Sequence, residues 1–338
     1  MRRLQIILAM LVTTALAAGP VFAQQRNDIV VLQGKTGTQK VSGRVLAETW
    51  KSVLLDRDHD NRADVEYDAA QVRRVEYGNR PRYMVEAILL KRKPNELIAK
   101  LTRAYVDETT PKYVLQHAYY DIAAAYAELA DKDADELPKA VQAYERLFRD
   151  IPDTKYAVTG RIELGNLLLG AGRTEEASRQ FKALADGPFG EKVAREGKLM
   201  TARAELALKR FDRAEKLLAE LATSAKAEDA ESLQEVKLLR SRSLIGQKKY
   251  DEAYKNVETV LSEGPSNKVL GMAYCVLGDL FAERAADETA LTAYLKVLVM
   301  YPETDAAEAG RARKQACLIL DKLGRTEEAE TLKRSVVE

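Results

Sequence analysis

Alanine recurs along the chain at Ala140, Ala177, Ala214, Ala253, Ala290 and Ala329, at intervals of 37, 37, 39, 37 and 39 residues. Each lies early in an apolar helical pattern that follows another one across a short polar turn. "GRTEEA" stands before two of these alanines, at Gly172–Ala177 and Gly324–Ala329, and "RFDRA" and "KYDEA" hold the same place at Ala214 and Ala253. Proline follows the alanine by 12 residues in three units, at Pro152, Pro265 and Pro302, and an earlier pair, Ala99 and Pro111, keeps that separation. A rhythm of this length describes an array of helix pairs. One pair cannot bury both of its apolar stripes, so neighbours must stack, and a small residue at the crossing lets the backbones approach. Thr174, Asp212, Asp251, Asp287 and Thr326 are expected to cap the second helix of each pair.

The best-formed unit is "YCVLGDLFAERAADETALTAYLKVLVMYP", with Tyr274, Leu277, Gly278, Phe281, Ala290, Tyr294 and Pro302. Another has Leu164, Gly165, Leu168, Ala177 and Phe181. On these residues the chain resembles the tetratricopeptide repeat family, although its units exceed that family's usual length. The resemblance implies a mainly α fold: a right-handed α-solenoid of helix pairs over residues 81–338, in about six to seven units. "FRDIPDTKYAVTGRIELGNLLLGAGRTEEA" and "LVMYPETDAAEAGRARKQACLILDKLGRTEEA" are similar to repeats of exported bacterial envelope proteins, such as the Tol–Pal cell-division coordinator and the outer-membrane assembly lipoproteins. This implies an envelope adaptor.

Two other segments precede the repeats. Arg2 and Arg3, the apolar run that follows and the small residues Val21 and Ala23 read as a signal peptide over residues 1–23, cleaved after Ala23. The run is short for a membrane span, and no cysteine follows to carry a lipid. The mature protein is therefore expected to be exported, periplasmic or extracellular, soluble, and without a membrane span. Residues 24–80 carry the strand patterns "DIVVLQ", "KVSGRVLAETWKSVLLD" and "AQVRRVEY", separated by glycine-rich turns. They suggest a small β-domain of SH3-like or Sm-like kind, with Trp50 expected in its core.

Beyond residue 23 the chain has 51 basic and 52 acidic residues, which gives no global reason to expect nucleic acid or an anionic membrane as partner. Chemistry-bearing clusters are scarce. His59 and His117 are the two histidines, and no phosphate loop, metalloprotease histidine pair or Cys-x-x-Cys occurs. The chain reads as a non-enzyme. Cys275 and Cys317 both fall on apolar helix faces, and their pairing stays open. In "DRDHDNRAD", Asp56, Asp58, Asp60 and Asp64 stand where a calcium loop places oxygens, with Asn61 at the left-handed position. Tyr67 holds the place of the closing carboxylate, and a solvated hairpin loop explains the segment as well.

In the family resembled, the first helix of each pair lines the groove. Counting back 11 residues from each alanine gives Asn166, Arg203, Arg242, Asp279 and Leu318. Asn166, Arg203 and Arg242 would form a polar, cationic row suited to a carboxylate or acidic peptide; pairing with Glu196 or Glu235 is the alternative. The expected function is a scaffold that binds envelope proteins or peptides, with self-association also open. The other reading is a peptidoglycan- or carbohydrate-associated module, or an accessory subunit of an envelope enzyme.

Overall fold

The computed structural model describes residues 27–33, 37–77, 90, 93–107, 110–224 and 230–334. The expected signal peptide and the linker near Gly78–Pro81 lie outside the described residues. The chain divides into two compact units, Met1–Ala157 and Val158–Glu338.

The first unit opens with five antiparallel strands: β1 (Asp28–Gln33), β2 (Thr38–Glu48), β3 (Ser52–Asp56), β4 (Val65–Asp68) and β5 (Val72–Glu76). Their order is β4-β3-β2-β1-β5, with one 3-10 turn between β4 and β5, the connectivity of an SH3-like sheet. The long strand β2 serves two partners. Its first half pairs with β1 up to Gly43 and its second half with β3 from Arg44. Glycine is required at the crossover, because a Cβ at Gly43 would stand 2.7 Å from the Asp56 carbonyl oxygen. Val30, Val45, Val53 and Leu55 fill the sheet's core. Trp50 is only half-buried, contrary to expectation. It sits in the β2–β3 turn, where its backbone N–H donates to the Asp153 carbonyl (3.2 Å).

Among the described residues, the helices α1 (Pro94–Tyr105), α2 (Lys112–Ala130) and α3 (Leu137–Asp150) follow in this unit. The sheet is stitched to them. Gln116 of α2 donates to the Glu48 carbonyl (2.9 Å) and accepts from Thr154 Oγ1 (2.9 Å) and the Lys155 N–H (3.0 Å). Thr49 also forms an isolated β-bridge with Thr154. These bonds explain why the first compact unit continues past the change of period near residue 80.

The second unit holds five helix pairs: α4 (Ala157–Gly170) with α5 (Thr174–Ala185), α6 (Glu191–Ala207) with α7 (Phe211–Ser224), α8 (Ala230–Gly246) with α9 (Tyr250–Ser262), α10 (Asn267–Glu283) with α11 (Asp287–Met300), and α12 (Ala306–Lys322) with α13 (Thr326–Arg334). The rhythmic alanines Ala177, Ala214, Ala253, Ala290 and Ala329 are all fully buried. Glycine in the first helix makes room for an aromatic of the second. A Cβ at Gly165 would meet the Phe181 ring at 2.3 Å, and one at Gly278 would meet Tyr294 at 2.6 Å. Cys275 and Cys317 are free thiols and both are buried.

The expected helix caps are corrected by the structure. Thr174 and Asp287 are the first residues of α5 and α11, Asp251 is the second of α9, and the residues before these helices, Arg173, Ala286 and Lys249, make no side-chain cap. The acids instead favour the positive helix end from within the first turn. The turn itself is fixed by its geometry. Gly172, Lys209, Lys248, Ala285 and Gly324 all have positive φ, between 57° and 75°. The next residue in each case donates back across the helix end, as Arg173 N–H does to Leu168 O (2.8 Å) and Arg325 N–H to Leu320 O (2.9 Å). This is the Schellman ending, in which a left-handed residue satisfies the last carbonyls.

Candidate binding groove

A groove of about 580 Å3 runs through the second unit, lined mainly by the first helices of its five pairs. Asn166 of α4, Arg203 of α6, Arg242 of α8 and Asp279 of α10 all face it. The fixed register does this: residues 37 or 39 apart fall at the same turn of stacked helices. Leu318 does not follow the register. It is 54 % exposed and lies outside the lining, to which α12 contributes Ala307, Glu308, Arg311 and Gln315.

The expected cationic row is present in sequence but not free in space. Arg203 donates from a terminal nitrogen to Glu235 (2.5 Å) and stands 3.8 Å from Asp305. Arg242 is almost buried. Its two terminal nitrogens hold both oxygens of Glu308 (2.5 Å each), and its Nε donates to Asp279 (3.1 Å). Asp279 also accepts from Tyr294 Oη (2.7 Å) and Arg311 (2.9 Å). Burial alone would raise the Glu308 carboxyl, but the charge and hydrogen bonds of Arg242 outweigh it and hold the pKa at about 2. Burial likewise works against the Arg242 cation, and the two acids overcome it, so its pKa lies well above the usual value. Both groups stay ionised. The pairs also cross repeats: Arg242 and Glu308 belong to helices separated by a whole pair, and their fork-to-fork geometry is specific. Counting back from an alanine finds one position per helix, so it missed Glu308 and Arg311. Only their three-residue spacing on one face of α12 hinted at them.

The acidic loop after β3 brings three of its four expected carboxylates together. Asp56, Asp58 and Asp60 have carboxylate oxygens within 4.8 Å of one another. Asp56, however, is buried and engaged by its own loop. It accepts from the backbone N–H groups of His59 (2.7 Å) and Asn61 (3.1 Å) and from Arg44 (3.1 Å). Asp64 stands apart from the three and accepts from the Arg57 N–H at 3.1 Å. His59 and Asn61 both adopt positive φ, at 66° and 69°.

Sequence reading missed a second polar centre, in the first unit. Glu48, at the end of β2, accepts from Tyr77 Oη (2.5 Å) and Lys155 Nζ (2.9 Å), and His117 Nε2 stands 3.4 Å away. His117 Nδ1 lies 2.6 Å from Tyr156 Oη. A carboxylate only accepts, so the ring proton belongs on Nε2 and Nδ1 takes the tyrosine proton. Burial raises the Glu48 carboxyl, but His117, Lys155 and Tyr77 together bring it down to about 2. Burial is also the main reason that the His117 pKa falls below its ordinary value. No short-range pattern links residues 48, 77, 117 and 155, so the cluster is not legible before folding. It is closed to solvent: the Glu48 and His117 side chains are 8 % and 7 % exposed. It therefore joins elements of the fold.

No family model matches the chain, and no curated protein matches it in sequence. Solved structures do match. A tetratricopeptide repeat protein from Parabacteroides merdae superposes with a TM-score of 0.50 at 14 % identity, covering 76 % of this chain and 98 % of that one. The apo form of RapI gives a TM-score of 0.49 at 12 % identity, with 75 % of this chain and 94 % of that one covered. NprR in complex with its cognate peptide NprX gives 0.46 at 16 % identity, with 74 % of each chain covered. Among the described residues no helix is long and apolar enough to cross a membrane. Helix pairs in fixed register, alanine and glycine at their crossings and the Parabacteroides match agree: the chain has a tetratricopeptide-type helical-repeat fold, preceded in sequence by a small five-stranded SH3-like β-domain.

Proposed function

We propose that the chain is a non-enzymatic adaptor of the bacterial envelope, exported by its N-terminal signal, that binds a segment of a partner protein in the groove of its second unit. The observation that carries this reading is the groove itself. Five successive first helices line it, and its walls combine apolar surface with side-chain amides and ion pairs, as a surface for a polypeptide requires. The groove lining holds neither of the two histidines and no cysteine, and the Glu48 and His117 side chains are nearly closed to solvent.

Asn166 is exposed on α4 at one end of the lining, so Asn166→Trp fills the groove without disturbing the core. Tagged protein purified from cross-linked cell envelopes is expected to bring down a saturable protein partner, and Asn166→Trp to lose it by about tenfold or more while helicity is unchanged. Equal recovery with the variant would remove the groove from the function.

A further inference from the structure

The ion pairs of the groove bear on what it selects. We infer that the groove takes an extended segment without charged side chains, and that it rejects acidic peptides despite its row of arginines; this rests on the adaptor reading above. All three arginines in the lining are already paired within the unit. Arg203 is held by Glu235, Arg242 by Glu308 and Asp279, and Arg311 by Asp279. A carboxylate entering the groove would have to strip Arg242 from a bidentate partner that is itself buried. It would also approach Asp279, Glu283 and Glu308. A cationic segment would face Arg203, Arg242, Arg311 and Lys209. A charge of either sign therefore loses its water beside buried groups that are already paired, and gains at most one exposed counter-charge, Lys209 or Glu283, which is worth little in water, so both classes are disfavoured.

What the groove offers instead is apolar surface and amides. Leu169, Met200 and Ala282 are half-buried in its walls, and Asn166 and Gln315 present side-chain amides. An amide donates and accepts at once, which matches a peptide bond better than any charged group does. The main chain of an extended segment would meet these amides, while small or medium apolar side chains fill the space between helices. The pairs that neutralise the groove also tie α8, α10 and α12 together, so the surface is formed before a ligand arrives and binding does not have to order it.

The test is selection of a random twelve-residue peptide library displayed on phage against the full chain, with Asn166→Trp as the parallel target. The inference expects enriched peptides poor in Asp, Glu, Lys and Arg, lost on Asn166→Trp, whose affinity changes less than about twofold between roughly 50 and 500 mM sodium chloride. Enrichment of acidic or basic peptides that the variant loses, or an affinity loss of about tenfold over the same salt range, overturns the charge selection and leaves the groove standing. No enrichment, or enrichment that persists on Asn166→Trp, overturns the groove reading and this inference with it.

Discussion

Glu308→Ala is expected to destabilise the helical repeats by about 3–5 kcal/mol, because it leaves the buried Arg242 guanidinium without its bidentate partner. The Glu308 and Arg242 side chains are 8 % and 12 % exposed, so water cannot replace what is lost. Asp279 would still hold Arg242 Nε, but it is shared with Arg311 and Tyr294. The loss comes from an orphaned charge, which gives the prediction a second arm. Arg242→Met combined with Glu308→Leu removes both charges and should recover most of the stability, since apolar residues of similar volume replace buried ion pairs at little cost. Asp279 keeps two donors in that double variant. Urea unfolding followed by far-UV circular dichroism measures both. A single variant as stable as the double one would show that the pair does not hold the repeats together.

The second large effect is acid destabilisation of the first unit. The Glu48 carboxyl titrates at about 2 in the folded chain, against an ordinary value of 4.5. A carboxyl depressed by folding contributes its stabilisation above the unfolded value and loses it as pH falls toward the folded one. The loss should therefore run from pH 4.5 down to about 2, and a difference of that size corresponds to about 3 kcal/mol. His117 adds to it from the other side. Its pKa is lowered by burial, so below pH 6.5 the unfolded chain gains a proton that the folded chain resists, and stability falls as the medium acidifies. Trp50, the single tryptophan, lies in the β2–β3 turn bonded to Asp153 and reports on this unit alone. Urea midpoints from its fluorescence should fall with acidification. Glu48→Gln should flatten the lower part of the curve and be less stable at neutral pH. A variant with unchanged pH dependence would place the acid sensitivity elsewhere.

Much of the fold is legible in the sequence because the repeat imposes it. The alanines mark helix crossings, and Gly165 and Gly278 mark where an aromatic enters; both need only local spacing. The turns between the two helices of a pair were half legible. Gly172 and Gly324 announce the left-handed residue, but Lys209, Lys248 and Ala285 adopt the same conformation without the residue type that advertises it. The groove shows the same division. The register placed Asn166, Arg203, Arg242 and Asp279 on one surface. It left Glu235 as an alternative partner, which Arg203 does take, and gave no view of Glu308, because the partner of a side chain in a stacked array can lie two repeats away. A row of arginines read from one strand of the pattern thus looks cationic, while the folded surface is neutralised. The join between the β-domain and α2 was illegible for a related reason. Glu48, His117 and Lys155 meet only through tertiary packing, and no periodicity relates a strand end to a helix face.

The central claim is that the lining of the five first helices is the surface on which a partner protein lies. The direct measurement is site-specific photo-cross-linking in the cell, with a photoreactive residue placed in turn at Asn166, at Gln315 and at Glu258, an exposed position on α9 outside the groove lining. The account predicts one discrete protein adduct, the same from Asn166 and Gln315, and none from Glu258. Adducts from Glu258 alone, or no adduct from either groove position, would contradict it.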